Sequence, residues 1–352
     1  MYNKTIAFTK SKLRGKYRYK DIFQIYPLES DNAPKSYHAK HFPIVLEYLY
    51  ENEETKNNDK DSDDFLEKFS GRKNYADEIL NILSVLTNHH FFTYNVDSRW
   101  AFLAPEKNIS QLDKVEKEKY NNQKSKWTYG LFAYPNIQND LIPTQKLSDK
   151  NFPSIARISH SKYFWFDPID SYKKEISFPD TIDACLDNYF QLNEKTFKKI
   201  KSISSLICDG VEISDSKRTL AFLAYVSAIE ALVDIEADDN EIEFSCKSCK
   251  SIKKSPYVCQ ECSNPIWGIS QKFYKHLEKF VAGGKKSSKK YRKIYNLRSK
   301  IVHQGRLFLS DYELSFRVMD KKEDELIMKI ETLQVVRVCL ANWLRYPSKT
   351  NT

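Results

Sequence analysis

The chain has 352 residues and a formal net charge of +9, with 22 Tyr, 21 Phe and 5 Trp against only 8 Gly. This length allows roughly two domains of about 150 residues, and an aromatic-rich, glycine-poor composition excludes fibrous and low-complexity classes. Residues 1–10 have no apolar segment typical of a secretory signal. The most apolar run, residues 220–233, is shorter than the roughly 20 residues of a membrane span. We therefore expect a globular protein of the reducing cytoplasm.

Residues 1–176 predict a mixed α/β domain. The patterns predict a strand over residues 16–26, a short helix over 44–50, an amphipathic helix over 75–88 and a strand over 91–95. Residues 51–64 and 110–126 are polar and are expected to be mobile loops. His89 and His90 are neighbours with no third ligand spaced to join them, which favours an ordinary role over metal binding. No catalytic spacing is visible, so we expect a sensing or partner-binding domain.

Residues 177–348 predict an all-α bundle. Apolar residues at three- and four-residue spacing indicate helices over residues 181–208, 216–236, 269–281, 288–303 and 323–346. Ser214 or Asp215 is the expected N-cap of the second helix. Glu230 lies in the apolar run of that helix, where a carboxylate requires a partner. The remaining cysteines of the helices, Cys185, Cys208 and Cys339, are expected in the core.

Four cysteines form two Cys-x2-Cys pairs: Cys246, Cys249, Cys259 and Cys262. Two such pairs across a short hairpin supply the four thiolates that structural zinc prefers, with no position left for a reactive water. We expect a zinc ribbon over residues 244–267, inserted between the second and third helices, with a redox role as the alternative. Its lysines either hold RNA or only keep the insertion soluble: Lys247, Lys250, Lys253 and Lys254.

The positive charge is concentrated between Lys247 and Arg306. This segment has thirteen lysines and three arginines against two glutamates, a net charge of +14, which leaves −5 for the rest of the chain. Such a patch attracts a polyanion, and nucleic acid is the expected partner. The expected RNA-binding residues are Lys285, Lys286, Lys289, Lys290, Arg292, Lys293, Lys300 and Arg306.

Arg298 and His303 stand near the end of the basic helix. Arginine supplies a permanent planar cation for phosphate oxygens and histidine a group that titrates near neutral pH, which together suffice for RNA cleavage without metal. Five helical positions correspond to about 140°, so the two side chains do not share a face. Either His303 lies where the helix unwinds toward Gly305, or a second subunit completes the site. A lone histidine at a helix end is otherwise a dipole partner or a core residue.

The segments AFLAYVSAIEALVD (residues 221–234) and LRSKIVHQG (residues 297–305) resemble the two signature segments of the HEPN superfamily, in its Apea-like branch. The resemblance covers residues 180–346. It implies a helical bundle that dimerises through the motif helices, and a metal-independent endoribonuclease of a toxin, antiphage or RNA-processing system. Arg298 and His303 would be catalytic, with Glu230 orienting one of them. Ser299 stands where active members often have Asn or Asp, and Gly305 replaces the tyrosine through which some HEPN toxins are silenced by nucleotide transfer.

The sequence therefore predicts an α+β protein, with a mixed N-terminal domain and a HEPN-like bundle that contains a zinc ribbon. We expect His303 to act as general base and acid and Arg298 to stabilise the phosphate, in a toxin or antiphage effector that needs no catalytic cofactor. The expected partners are RNA, a second copy of the chain and a regulatory protein. The alternatives are a non-catalytic, zinc-containing nucleic-acid-binding protein and an interaction protein with an acidic partner.

Overall fold

The computed structural model describes residues 1–28, 41–50, 61–93, 111–123, 137–164, 175–237, 243–245, 248–254, 269–312 and 319–346. The chain divides into two compact units, Met1–Asp180 and Thr181–Thr352, where the sequence placed the boundary at residue 176. The first contains a sheet and the second is mainly helical, which confirms the α+β class. Within these ranges, no helix combines the length and apolar character that a membrane crossing requires.

An antiparallel sheet forms the centre of the first unit. Its strands are β1 (Tyr2–Thr9), β2 (Tyr17–Tyr19), β3 (Phe23–Pro27), β4 (Phe42–Leu49) and β5 (Phe91–Phe92), in the order β2-β3-β4-β1-β5. β1 and β4 pair along their whole length, from Tyr2 opposite Leu49 to Thr9 opposite Phe42. Both faces of β4 are buried from Pro43 to Tyr48, so this strand is part of the core.

Two sequence predictions in this sheet are wrong. Residues 16–26 form the hairpin β2-β3 rather than one strand, because the chain reverses after Tyr19, with Lys20 at a φ of 47°. The helix predicted over residues 44–50 is strand β4. A short apolar run that is buried on both sides lacks the periodicity that separates a strand from a buried helix.

The helices of the first unit are α1 (Asp61–Leu86), α2 (Lys114–Gln123), α3 (Ile137–Asp140) and α4 (His160–Phe164), and strands β6 (Arg157–Ile158) and β7 (Phe178–Pro179) form a parallel pair. α1 covers residues 75–86 of the helix predicted over 75–88, ending two residues earlier, and it begins at Asp61, so residues 61–64 are helical rather than a loop. α2 replaces most of the loop predicted over 110–126. Residues 51–60, 94–95, 110 and 124–126 of these predictions lie outside the described ranges.

Buried polar groups occur on β4 and in the segment that precedes β5. Glu47 is fully buried on β4 and accepts hydrogen bonds from Gln24 Nε2 (2.7 Å), Thr144 Oγ1 (2.8 Å) and the Ser148 amide (3.0 Å). These bonds hold the segment of residues 144–148 on the sheet. His89 and His90 are both buried.

The second unit contains α5 (Ile182–Phe190), α6 (Glu194–Ile213), α7 (Arg218–Ala237), α8 (Ile269–Phe280), α9 (Lys285–Gln304), α10 (Leu309–Tyr312) and α11 (Met319–Arg345). A hairpin of β8 (Glu243–Ser245) and β9 (Ile252–Lys254) follows α7. The single helix predicted over 181–208 is wrong, because two helices, α5 and α6, occupy this region and are separated by a short turn. Asn193 is the N-cap of α6 and accepts a hydrogen bond from the Thr196 amide at 2.9 Å.

Helix α7 packs among α6, α8, α9 and α11. Its Phe222 and Tyr225 are fully buried, as is Trp343 on α11. α6 and α7 approach closely because Gly210 has no Cβ, which would otherwise lie 2.6 Å from the Tyr225 ring. Cys185, Cys208 and Cys339 are buried, as predicted.

The N-terminus of α7 is capped from a distance. Asp311 on α10 accepts from the amides of Arg218 (2.9 Å) and Thr219 (2.8 Å), the first residues of the helix. The predicted caps, Ser214 and Asp215, do not fill this position because α7 begins only at Arg218. The segment after the Arg298/His303 motif therefore holds the start of α7.

Candidate functional site

Helix α9 carries both motif residues and is bounded by two glycines. Gly284 (φ 104°) precedes it and Gly305 (φ 65°) ends it in the left-handed conformation, with its amide donating to Ile301 at 3.1 Å. The helix begins earlier than predicted, at Lys285, and continues to Gln304. His303 therefore lies within the last turn, and unwinding toward Gly305 does not bring it round to Arg298.

Arg298 is paired with Glu230 of helix α7. Its Nη2 donates to Glu230 Oε2 at 3.1 Å, and the side chains are only 25% and 20% exposed. The other carboxylate oxygen, Glu230 Oε1, is buried and has no hydrogen-bond partner among the described residues. The carboxylate that the sequence placed in an apolar helix thus has Arg298 as its partner, which fixes the orientation of the guanidinium group.

His303 is exposed on the surface of α9, whereas Arg298 faces α7. Their separation of about 140° around the helix and about 7.5 Å along it means that the two side chains point apart in one chain. Ser299 is partly exposed. Residues at four-residue spacing share a helix face, so Tyr295, Ser299 and His303 form a row, with Arg292 at its N-terminal end.

The predicted RNA-binding residues differ in their surroundings. Six are exposed cations of the α9 region: Lys285, Lys286, Lys289, Lys293, Lys300 and Arg306. Lys290 instead forms an ion pair with Glu331 of α11 at 3.0 Å. Arg292 is exposed, and its Cζ lies 5.9 Å from the centre of the Tyr274 ring. We refer to these eight residues as the basic face.

Two tyrosines beside the motif were not identified from the sequence. Tyr274 of α8 and Tyr295 of α9 are partly exposed, and their ring centres lie 6.1 Å apart at 82°. Burial and the negative charge of Glu230 raise the pKa of the Tyr295 hydroxyl, and Arg298 only partly opposes them. The phenol therefore stays protonated beside the ion pair. The signal available in the sequence was the position of Tyr295, three residues before Arg298.

The hairpin β8-β9 carries the first half of the predicted zinc ribbon. Ser245 pairs with Ile252, so the chain reverses between them, with Lys250 at a φ of 60° and Cys249 exposed in the turn. A Cys-x2-Cys pair at a tight turn is the arrangement that zinc knuckles use, and Cys249 fits such a role. Cys246, Cys259 and Cys262 lie outside the described residues. Among the rest, no three His, Cys, Asp or Glu side chains cluster in a way that would hold a metal.

The helices that precede and follow the inserted segment are joined by charged groups. Glu236, near the end of α7, contacts His276 Nδ1 at 2.5 Å and forms an ion pair with Lys279, both on α8. Burial alone would raise the pKa of Glu236, but the hydrogen bonds and charges of His276 and Lys279 lower it. This cluster joins the end of α7 to α8.

The site thus combines an oriented arginine, an exposed histidine, a basic face and two tyrosines on neighbouring helices. No protein-family model matches the chain, and no curated protein or solved structure matches it either.

Proposed function

We propose that the chain is a metal-independent endoribonuclease of the HEPN type. The observation that carries this proposal is the ion pair between Arg298 and Glu230, on the helix that also bears the exposed His303 and the basic face. An oriented permanent cation, a titratable imidazole and a surface for a polyanion are the groups that RNA cleavage without metal requires.

In this mechanism His303 removes the proton of a ribose 2′-hydroxyl, and the oxygen attacks the adjacent phosphorus. Arg298 stabilises the charge that develops on the phosphate oxygens. The 5′-oxygen leaves with a proton from a protonated imidazole or from water, which gives a 2′,3′-cyclic phosphate and a 5′-hydroxyl. Glu230 is a positioning residue. A guanidinium has five N–H donors, so the one bond to Glu230 leaves donors for phosphate.

A second copy of the chain resolves the geometry of the motif. Because Arg298 and His303 point apart on one helix, we propose a composite cleft in which Arg298 of one chain and His303 of the other face the same phosphate. Exposed apolar side chains near the motif support such an interface: Leu220 is 50%, Val302 51% and Leu307 48% exposed. Thr219 and Phe308, the sequence neighbours of Leu220 and Leu307, share a hydrogen bond, which brings these two parts of the backbone close together.

The HEPN resemblance of residues 221–234 and 297–305 favours a toxin or antiphage effector acting on cytoplasmic RNA. The first unit, with its sheet and buried Glu47, would then sense a trigger or bind a regulatory protein. We also propose that Cys246, Cys249, Cys259 and Cys262 hold a structural zinc ion. The exposed Cys249 between the paired strands β8 and β9 supports this assignment, and thiolates at all four positions would exclude a reactive water.

A non-catalytic nucleic-acid-binding protein is the second candidate. It is favoured by the opposite directions of Arg298 and His303 in one chain, since a binder needs no common cleft. In that case each of the two residues only positions a phosphate on its own side of α9.

Incubation of the purified protein with total RNA tests the proposal, with wild type beside His303→Ala. We expect cleavage by the wild type, with cyclic phosphate ends and no loss when EDTA is present and zinc is retained. His303→Ala should bind RNA with nearly unchanged affinity and leave it intact. A strict requirement for Mg²⁺ would overturn the mechanism, and RNA binding without cleavage by either protein would favour the second candidate.

A further inference from the structure

Tyr274 and Tyr295 form an aromatic surface that the proposed chemistry does not use. Between them and the core lies Phe273, which is fully buried and packs against Tyr295 with ring centres 5.3 Å apart. The tyrosines themselves remain partly exposed and meet edge to face. Phe273 already closes the contact between α8 and α9, so packing alone does not require two further aromatic rings at the surface.

The two tyrosines lie next to the Arg298/His303 motif. Tyr295 precedes Arg298 by one turn and stands in one row with Ser299 and His303, about 12 Å from His303 along the helix. Its phenol lies close enough to Glu230 and Arg298 for their charges to affect its pKa. On the other side, the Arg292 guanidinium lies 5.9 Å from the Tyr274 ring centre. Cations thus flank the aromatic pair on both sides along α9.

We propose that Tyr274 and Tyr295 form a subsite that stacks one unpaired base of a single-stranded RNA, with a neighbouring phosphate at Arg298. This subsite rests on the proposed function, because it places the strand that the motif cleaves. Aromatic rings beside cationic groups are how proteins hold single strands, since every base has a π face and every nucleotide a phosphate. A base within a duplex is already stacked on both sides, so the substrate class is single-stranded or looped RNA.

The neutral state of the tyrosines suits this role. A ring that lies beside phosphates must not carry a negative charge, and burial together with Glu230 raises the pKa of Tyr295. Burial likewise raises the pKa of Tyr274, although Arg292 partly opposes it. Arg292 covers one side of the Tyr274 ring in the free protein, and we expect its guanidinium to turn to a phosphate when RNA binds.

Binding of a short, fully 2′-O-methylated single strand to the full-length protein tests the subsite, because such a strand lacks the attacking hydroxyl and stays intact. Its affinity is compared with that of strands in which one nucleotide at a time has lost its base but kept its phosphate. In the wild type we expect one position at which base removal weakens binding about tenfold. In Tyr295→Leu or Tyr274→Leu, this sensitivity should disappear, while Tyr295→Phe, which keeps the ring, should retain it.

Tyr346→Leu is the matched control, since Tyr346 is an exposed tyrosine that also has an arginine over its ring, with Arg345 Cζ 5.0 Å from the ring centre. It should behave as the wild type. Equal affinity for all base-free strands, or unchanged sensitivity in both leucine variants, overturns the subsite. Cleavage of unmodified RNA is measured separately. If the wild type cleaves RNA but the leucine variants keep the sensitivity of binding to base removal, the subsite alone is rejected. If the leucine variants lose this sensitivity but the wild type does not cleave RNA, the nuclease proposal alone is rejected.

Discussion

The hydroxyl of Thr219 donates to Asp311 Oδ2 at 2.5 Å and accepts from the Phe308 amide at 2.8 Å. Thr219 is the second residue of α7, and Phe308 and Asp311 follow directly after the Arg298/His303 motif of α9. The two hydrogen bonds therefore hold the start of α7 against the segment that follows α9. Glu230 and Arg298 lie farther along the same two helices, so this connection contributes to their register.

Asp311→Ala should lower the free energy of unfolding by about 1–2 kcal/mol, because it removes the cap of α7. Burial alone would raise the pKa of Asp311, but hydrogen bonds from Thr219 and Arg218 lower it. A lowered pKa in the folded state means that the stabilisation is present above the unfolded value of about 3.9 and is lost as pH falls through the folded value. In urea unfolding, the difference in free energy of unfolding between the wild type and Asp311→Ala should therefore be smaller below about pH 4 than at neutral pH. Asp215→Ala, which removes the exposed carboxylate predicted as the cap, should have almost no effect.

Glu230→Gln should reduce the cleavage rate by up to about 100-fold, because the guanidinium of Arg298 would no longer be held in one orientation. The equilibrium affinity for RNA should change little, since the positive charge of Arg298 remains. The measurement is single-turnover cleavage alongside equilibrium binding. Asp234→Asn, an exposed carboxylate one turn later on α7, serves as the control and should cleave at the normal rate. Equal rates for Glu230→Gln and wild type would contradict the positioning role.

Lys289 and Lys290 provide a matched pair for the basic face. Lys289 is exposed, whereas Lys290 is paired with Glu331 at 3.0 Å. Lys289→Ala should therefore weaken RNA binding and reduce the magnitude of the negative slope of log affinity against log salt concentration by about 1. Lys290→Ala should change both the affinity and the slope less. Fluorescence anisotropy over a range of salt concentrations measures the slopes. If neither variant changes the slope, the RNA does not contact this part of α9.

Cys259→Ser should lower stability and solubility and abolish stoichiometric zinc binding, because the binding free energy of a structural metal contributes to folding. Metal content by mass spectrometry and thermal unfolding measure both effects. Cys208→Ala removes a cysteine that is buried in the core and should keep its zinc. A soluble, folded Cys259→Ser protein with normal zinc content would falsify the ribbon assignment.

Leu307→Glu should dissociate the proposed dimer, because it would place a charge in an apolar interface. Leu307 is 48% exposed in the single chain, so the folded monomer should tolerate the change. Sedimentation velocity reports the oligomeric state, and cleavage should fall together with the dimer fraction. Val115→Glu, at a residue that is 74% exposed in the first unit, is the control. A wild type that is monomeric at all concentrations and still cleaves RNA would rule out the composite cleft.

Local sequence patterns predicted the helices of the second unit more closely than the strands of the first. Helices α8, α9 and α11 each bury an apolar stripe that repeats every three or four residues, and this period is visible in the sequence. Strand β4 is buried on both faces and has no such period, which is why residues 44–50 were assigned to a helix. The interruption between α5 and α6 is marked by a capping hydrogen bond at Asn193, which the spacing of apolar residues does not reveal.

The sequence by itself determined which charged and reactive residues this protein has and how they are spaced: Arg298 and His303 at a separation of five, the carboxylate of Glu230 in an apolar helix, four cysteines in two pairs and a concentrated basic segment. These features depend on residue type and on spacing along the chain. Only the tertiary structure decided that Arg298 faces Glu230, that Lys290 is paired with Glu331, that Asp311 caps α7 and that Tyr274 meets Tyr295. Each of these contacts joins residues of different helices, and the packing of buried side chains between the helices, rather than any local pattern, brings them together.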